Sequence, residues 1–211
     1  MVNPSPTPES AACLRVTDLS CERDERDLFE GLEFTLYSGE ALRIAGPNGS
    51  GKTTLMRGLV GLNMYLQGNL EWHRPGATPY LFMGHKPGIS AQLTVWENLG
   101  FLARLRGLSP DANALAQALD AVALGPFDDS LGHQLSAGQQ RRVMLALLYL
   151  PGLPPCWVLD EPFTALDRQG AAALELHLSA HCAAGGSVIF STHHEPQKLV
   201  FRTLMLGAVP T

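Results

Sequence analysis

Nine consecutive residues carry the clearest chemistry in this sequence. They are Gly46, Pro47, Asn48, Gly49, Ser50, Gly51, Lys52, Thr53 and Thr54. They match the pattern G-x-x-x-x-G-K-[ST], whose glycines let backbone N–H groups turn inward and bind phosphate oxygens. Lys52 is then placed to contact the β- and γ-phosphates of a nucleotide, and Thr53 to bind Mg²⁺. The loop therefore predicts a site for ATP and Mg²⁺.

A second group supplies the carboxylates that such a site needs. An apolar run, Cys156 to Leu159, ends in Asp160 and Glu161. Asp160 is placed to hold Mg²⁺ directly or through water, and Glu161 to polarise an attacking water as general base. An acidic pair after a strand is often only a solvated turn, but its occurrence together with a phosphate-binding loop favours the catalytic interpretation.

Strands and helices must position these groups. Short buried strands are predicted at 42–45, 80–83, 157–159 and 188–190, and helices at 53–62 and from just after Ser136 to Tyr149. From 94 to 124 the spacing is helical and is broken by Gly107 and Pro110. Alternating strands and helices predict an α/β fold with a mostly parallel sheet and its active residues at the strands' carboxyl ends. The helix-rich middle, about 86–150, is interpreted as a subdomain inserted into this core.

Length and composition limit the alternatives. The 211 residues fit one α/β domain, and 45% hydrophobic residues provide for a buried core. A net charge of −5 does not favour nucleic-acid binding. No apolar run is long enough to span a membrane, residues 1–10 predict a disordered lead rather than a signal peptide, and the four cysteines show no disulfide framework.

At this point the sequence resembles the ATP-binding domains of ABC transporters. The segment Leu135-Ser136-Ala137-Gly138-Gln139 resembles the family's signature motif, with Ala137 in place of one glycine. The segment 160–167 is similar to the Walker B strand end running into the D-loop, and 191–193 is similar to the switch-histidine segment. Together with the phosphate loop, these motifs stand in family order from 46 to 193.

The resemblance implies a P-loop core with antiparallel N-terminal strands and a helical subdomain. It also implies a head-to-tail homodimer that sandwiches two ATPs, in which Ser136 and Gly138 contact the nucleotide held by the opposite subunit. His193 is expected to contact the γ-phosphate, and Asp167 to communicate across the dimer interface. A separate integral membrane permease is the expected partner, and His194 is interpreted as a bystander.

Two positions depart from the family pattern. Arg23 stands where an aromatic residue that stacks on adenine is expected; a guanidinium can also stack on a purine, but a charged surface turn is an equal alternative. His85 stands where the family has a glutamine near the metal. An imidazole can hydrogen-bond to water or to the metal shell there. His177 and His181, four residues apart on a predicted helix, are interpreted as a solvated pair rather than as metal or haem ligands.

The departures themselves narrow the resemblance. The segments 84–85, 93–99 and 135–142 together resemble the ATP-binding subunits of the cytochrome c maturation haem exporter. This implies a peripheral ATPase on the cytoplasmic face of the inner membrane, working with permease subunits, although whether haem is the cargo stays open. The alternatives are the ATPase of another small exporter, for lipid or drug, and a soluble ABC ATPase of repair or translation. A subunit without ATPase activity is disfavoured because Lys52, Asp160, Glu161 and His193 are all present.

Overall fold

A computed structural model of the chain describes residues 11–23, 26–63, 65–73 and 79–207. The predicted disordered lead, 1–10, and the side chain of Arg23 lie outside this part. The described residues form two compact units. The first falls within Met1–Phe82, Pro154–Glu161 and Glu175–Thr211, and the second within Met83–Leu153 and Pro162–Leu174.

The first unit contains a five-stranded sheet. Its strands are β3 (Ala41–Ala45), β5 (Tyr80–Met83), β6 (Cys156–Asp160), β7 (Ser187–Ser191) and β8 (Arg202–Met205). Their order is β5-β6-β7-β3-β8, and β3 pairs in parallel with both β7 and β8, as β6 does with β7. Every residue of β6 and β7 is buried, as is typical of a parallel sheet covered on both faces. The predicted parallel sheet is therefore confirmed.

A second sheet in the same unit is antiparallel. It consists of β1 (Ala12–Arg23), β2 (Arg26–Tyr37) and β4 (Leu66–Trp72), in the order β2-β1-β4. The register of β1 against β4 shifts between Thr17 and Ser20. At this bulge Gly68 has φ +109° and lies against the backbone of Asp18, so a side chain has no room there. The expected antiparallel N-terminal strands are therefore present.

Helix α1 (Lys52–Leu59) follows the phosphate loop and buries Leu55, Met56 and Leu59. It ends three residues before the predicted Leu62, because Gly61 adopts a left-handed conformation with φ +72°. The hydrophobic core of the first unit joins this helix to residues of both sheets. Its fully buried members include Leu14, Leu36, Leu42, Ile44, Leu55, Met56, Val158 and Ile189.

The second unit is helical. It contains α2 (Val95–Arg104), α3 (Ala112–Ala121) and α4 (Ala137–Ala146), and α4 continues as a 3₁₀ turn at Leu147–Tyr149. The predicted break at Gly107 and Pro110 separates α2 from α3. Helix α5 (Arg168–Ala183) begins in the second unit and ends in the first. Within the described part of the chain, no helix combines the length and apolar character needed to cross a membrane.

The segment before α2 owes its shape to its own polar side chains. Thr94 caps α2, because its Oγ1 accepts a hydrogen bond from the Glu97 N–H. The Glu97 carboxylate in turn accepts from the Thr94 N–H, which completes a capping box. Asn98 is fully buried and donates to the carbonyls of Ser90, Leu93 and Thr94 while accepting from the Ser90 N–H. The residues at 93–99 thus fix the entry into α2.

Candidate active site

The phosphate loop runs from the end of β3 to the start of α1, as predicted. Gly49 and Gly51 have φ values of +82° and +92°, which side chains disfavour, and the Leu55 N–H donates to the Gly51 carbonyl at 2.7 Å to open the helix. Lys52 Nζ donates to the carbonyls of Gly46 and Pro47 at 2.8 and 3.0 Å. The ammonium group and the helix N-terminus therefore converge on one anion-binding loop.

Asp160 lies at the carboxyl end of β6 and is only 2% exposed. Thr53 Oγ1 donates to its Oδ2 at 3.0 Å, and Ser191 Oγ donates to its Oδ1 at 2.8 Å. Two hydroxyls, one from α1 and one from β7, thus orient a single carboxylate. Hydroxyl and carboxylate oxygens are ligands that Mg²⁺ prefers, so the chemistry of this donor set fits the predicted metal site.

Glu161 has φ +53°, an uncommon conformation for a residue other than glycine. Its N–H donates to Ser191 Oγ at 3.0 Å, which holds the turned backbone. The His193 N–H donates to Glu161 Oε2 at 3.3 Å, and His193 Nε2 lies 3.5 Å from Oε1. Backbone strain of this kind is concentrated at functional sites, where surrounding contacts sustain it. The predicted base and switch histidine are therefore adjacent.

These groups line one cleft of about 660 Å³ in the first unit. Its walls are Leu28, Asn48, Gly49, Gly51, Lys52, Thr53, Thr54, Asp160, Glu161 and His193. Its side chains are mostly polar, and they place an ammonium group, a hydroxyl–carboxylate pair and a second carboxylate around one space. This combination suits a polyphosphate with a divalent cation and an attacking water.

The signature segment lies in the second unit, where Ser136 caps α4. The Gln139 N–H donates to Ser136 Oγ at 3.2 Å, and Gln139 Oε1 accepts from the Ser136 N–H at 2.9 Å. Ser136 is therefore the N-cap of α4. Gly138 faces the carbonyl of Ala165, which would lie 2.8 Å from any Cβ at position 138. Ala137, the departure from the family motif, is exposed.

Asp167 caps the start of α5 rather than standing alone. Its Oδ1 accepts from the Gly170 N–H at 2.7 Å, and Arg142 Nη2 donates to its Oδ2 at 2.8 Å. The Gly170 N–H and the Arg142 guanidinium together hold the pKa of this carboxyl below its usual range. Asp167, which is predicted to lie at the dimer interface, thus also makes hydrogen bonds to residues of the second unit.

The two departures from the family pattern have different outcomes. His85 is exposed in the second unit, and its carbonyl accepts from Arg141 Nη1 at 3.0 Å. Arg141 is buried and also donates to the carbonyl of Gly84 at 3.3 Å, so an arginine holds the backbone at this position. Arg23 ends β1, but its side chain is outside the described part, and its role stays a prediction.

Comparison with known proteins decides the family. The family model described as "ABC transporter" matches residues 29–164. This chain belongs to the ABC transporter family. The match runs from β2, past the phosphate loop and the signature segment, to the residues that follow Glu161.

Relatives of this ABC protein are similar over nearly its whole length. It is 50% identical over 206 residues to the "Cytochrome c biogenesis ATP-binding export protein CcmA" of Pseudomonas syringae pv. syringae (strain B728a), covering 92% of this chain and 95% of the relative. The protein of the same name from Pseudomonas savastanoi pv. phaseolicola (strain 1448A / Race 6) is 50% identical over 204 residues, with the same coverage. A solved "Structure of ATP binding subunit of ABC transporter" matches with a TM-score of 0.79 and 25% identity, covering 92% of this chain and 85% of that one.

These comparisons confirm the predicted family, the fold and the class of enzyme, an ATP hydrolase of an ABC transporter. Sequence reasoning missed Ser191, which binds both Asp160 and the Glu161 N–H, and Arg142, which pairs with Asp167. The available signals were weak: Ser191 is the first residue of the switch-histidine segment 191–193, and Arg142 is the last residue of the segment 135–142.

The remaining histidines make contacts that the sequence did not predict. His177 and His181 are not a solvated pair, because both rings stack on Trp157, with centroids 5.6 and 3.6 Å away. His181 Nε2 also lies 3.0 Å from the Pro155 carbonyl. Among the described residues, no group of three or more His, Cys, Asp or Glu could hold a metal. The interpretation of His194 as a bystander to catalysis stays a prediction; its Nε2 lies 2.7 Å from Oε1 of buried Glu175.

The signature segment of this ABC protein should tolerate a change of side chain at position 137 but not the addition of one at position 138. Gly138→Ala places a methyl group against the Ala165 carbonyl, and overpacking of this kind costs about 1–3 kcal/mol. For a chain of this size, that lowers Tm by roughly 2–12 °C. Ala137→Gly, at an exposed site, should cost less than about 1 kcal/mol. Thermal unfolding of both variants measures the difference, and equal Tm values would contradict this account of the packing.

Proposed function

We propose that this chain is the ATP-hydrolysing subunit of an exporter that serves c-type cytochrome biogenesis, with haem as the exported or delivered group. The observation that carries the proposal is the convergence of Lys52, Thr53, Asp160, Glu161 and His193 on one cleft. The process follows from relatives of 50% identity whose names give cytochrome c biogenesis and export.

The cleft supports hydrolysis by positioning and charge. Lys52 and the N–H groups of the phosphate loop bind the β- and γ-phosphates of ATP. Thr53 and Asp160 would hold Mg²⁺, and His85 would hydrogen-bond to a water molecule bound to the metal. The cation would neutralise charge on the phosphate oxygens. Glu161 accepts the proton of the attacking water as the bond to the β,γ-bridging oxygen breaks, giving ADP and phosphate. His193 orients the γ-phosphate, and Arg23 stacks on the adenine.

Assembly completes the proposed site. Residues 1–211 act as one nucleotide-binding domain with 86–150 as its helical subdomain, and two copies close head to tail on two ATPs. Ser136 and Gly138 of each copy contact the opposite nucleotide, and Asp167 lies at the interface. ATP at about 100 times its Kd contributes about 2.7 kcal/mol per site to the closed dimer. The dimer sits peripherally on the cytoplasmic face of the inner membrane, where closure moves the permease subunits.

Isolation from native membranes tests the proposal. A tagged chain, solubilised in mild detergent, should bring down multi-span membrane proteins, and the complex should hydrolyse ATP. The partners should be encoded with haem-handling genes, because the relatives serve cytochrome c biogenesis. A lipid or drug permease in their place would identify a different small exporter. Recovery of the chain without any membrane protein would argue against an exporter subunit.

A further inference from the structure

Glu175, on α5, is a buried carboxylate outside the catalytic cleft. It is 3% exposed, yet its Oε2 accepts from the N–H groups of Gln197 and Lys198 at 2.8 and 2.6 Å. Its Oε1 lies 2.7 Å from His194 Nε2. Burial raises the pKa of Glu175, but these donors outweigh it and lower the pKa overall. A carboxylate this deep is costly unless it is fully bonded, and here all of its donors come from one loop.

That loop carries His193 and has no regular structure of its own. It runs from the end of β7 at Ser191 to the start of β8 at Arg202, so strand pairing does not hold it. The His194 N–H donates to Thr192 Oγ1 at 2.9 Å, and Arg43 forms a two-pronged ion pair with Glu195 at 2.9 and 3.0 Å. The Glu195 side chain is 68% exposed, so that pair is the weaker anchor. Glu175 is therefore the stronger polar anchor of this loop, whose own Thr192 and Leu199 are also buried.

We propose that Glu175 is a positioning residue for the switch histidine. Its carboxylate contacts the His194 ring and accepts hydrogen bonds from the backbone of Gln197 and Lys198. These contacts hold the loop and so determine the position of the His193 side chain. His193 is in turn 3.5 Å from the Glu161 carboxylate. This inference rests on the proposed function, in which His193 orients the γ-phosphate and Glu161 acts as the base. Glu175 itself touches neither nucleotide nor water in this scheme.

Glu175→Ala in the membrane complex should lower kcat for ATP about tenfold or more, because small displacements of catalytic groups are costly. The KM for ATP should stay within about twofold, since the phosphate loop makes no contact with this anchor. In Glu175→Gln the amide oxygen can still accept both backbone N–H groups, so most of kcat should return. Leu176→Ala, at an exposed position on the same helix, is the matched control and should behave as wild type. Rates are divided by the number of ATP-binding sites, so a loss of folded protein does not lower the measured kcat.

A double-mutant cycle with His193→Ala in single-turnover assays tests the route of the effect. If Glu175 acts through His193, Glu175→Ala should have no further effect in that background. An equal loss in both backgrounds, or an unchanged kcat in Glu175→Ala, would overturn the inference. Should His193→Ala have no measurable rate, the kcat and KM of Glu175→Ala decide alone. A wild-type complex that fails to hydrolyse ATP would instead refute the proposed function.

Discussion

Glu161→Gln should abolish ATP turnover while leaving ATP binding intact. The Glu161 carboxylate is 15% exposed, it points to His193, and its backbone is held by Ser191, so the amide can occupy the same place. An amide cannot accept the proton of the attacking water. General-base catalysis contributes typically 10²–10⁴-fold, so kcat should fall by about that factor. The Kd for Mg²⁺–ATP should change by less than about threefold, because Lys52, Thr53 and Asp160 keep their contacts.

The same substitution should trap the closed dimer. With bound ATP no longer consumed, size-exclusion chromatography should show a shift from monomer to dimer on addition of ATP and Mg²⁺. Glu33→Gln, at an exposed carboxylate on β2, is the matched control and should hydrolyse ATP normally. A Glu161→Gln chain that binds ATP and stays entirely monomeric would refute the ATP sandwich. Full activity in Glu161→Gln would remove Glu161 from the role of base.

Deletion of the gene should abolish mature c-type cytochromes and spare b-type haem proteins. Covalent attachment of haem occurs beyond the membrane, whereas b-type proteins need only non-covalent binding. Under the proposed function ATP is hydrolysed on the cytoplasmic side, so its energy reaches this attachment step through a membrane subunit. Haem-stained gels detect covalently bound haem, and reduced-minus-oxidised spectra of the membranes measure the b-type haem. Restoration by the wild-type gene controls for effects on neighbouring genes.

The catalytic half of the site could be predicted because its residues lie in contiguous motifs. The phosphate loop and the Asp160–Glu161 pair each combine a strand with the polar residues that end it, so spacing alone indicated their chemistry. The parallel sheet then brings them together, since its carboxyl ends share one edge. The strands at 80–83 and 188–190 lie where their apolar runs predicted them.

The supporting contacts could not be predicted, because they join residues far apart in sequence. Ser191 lies 31 positions from Asp160, and His194 lies 19 from Glu175. No local pattern indicates that a serine or a glutamate will meet these partners. Burial of a charged residue on a helix is equally invisible to periodicity, so the sequence does not single out Glu175. The bulge at Gly68 likewise depends on the backbone of a neighbouring strand.

The most direct measurement asks whether c-type cytochrome maturation depends on the Glu161 carboxylate. A strain without the gene receives wild-type or Glu161→Gln copies at matched expression, and covalent haem is measured on gels of membrane and periplasmic proteins. If ATP hydrolysis at Glu161 drives c-type cytochrome maturation, only the wild-type copy should restore the c-type bands, while b-type haem is unchanged in both strains. Normal c-type bands with the Glu161→Gln copy as the sole source of the protein would contradict the account.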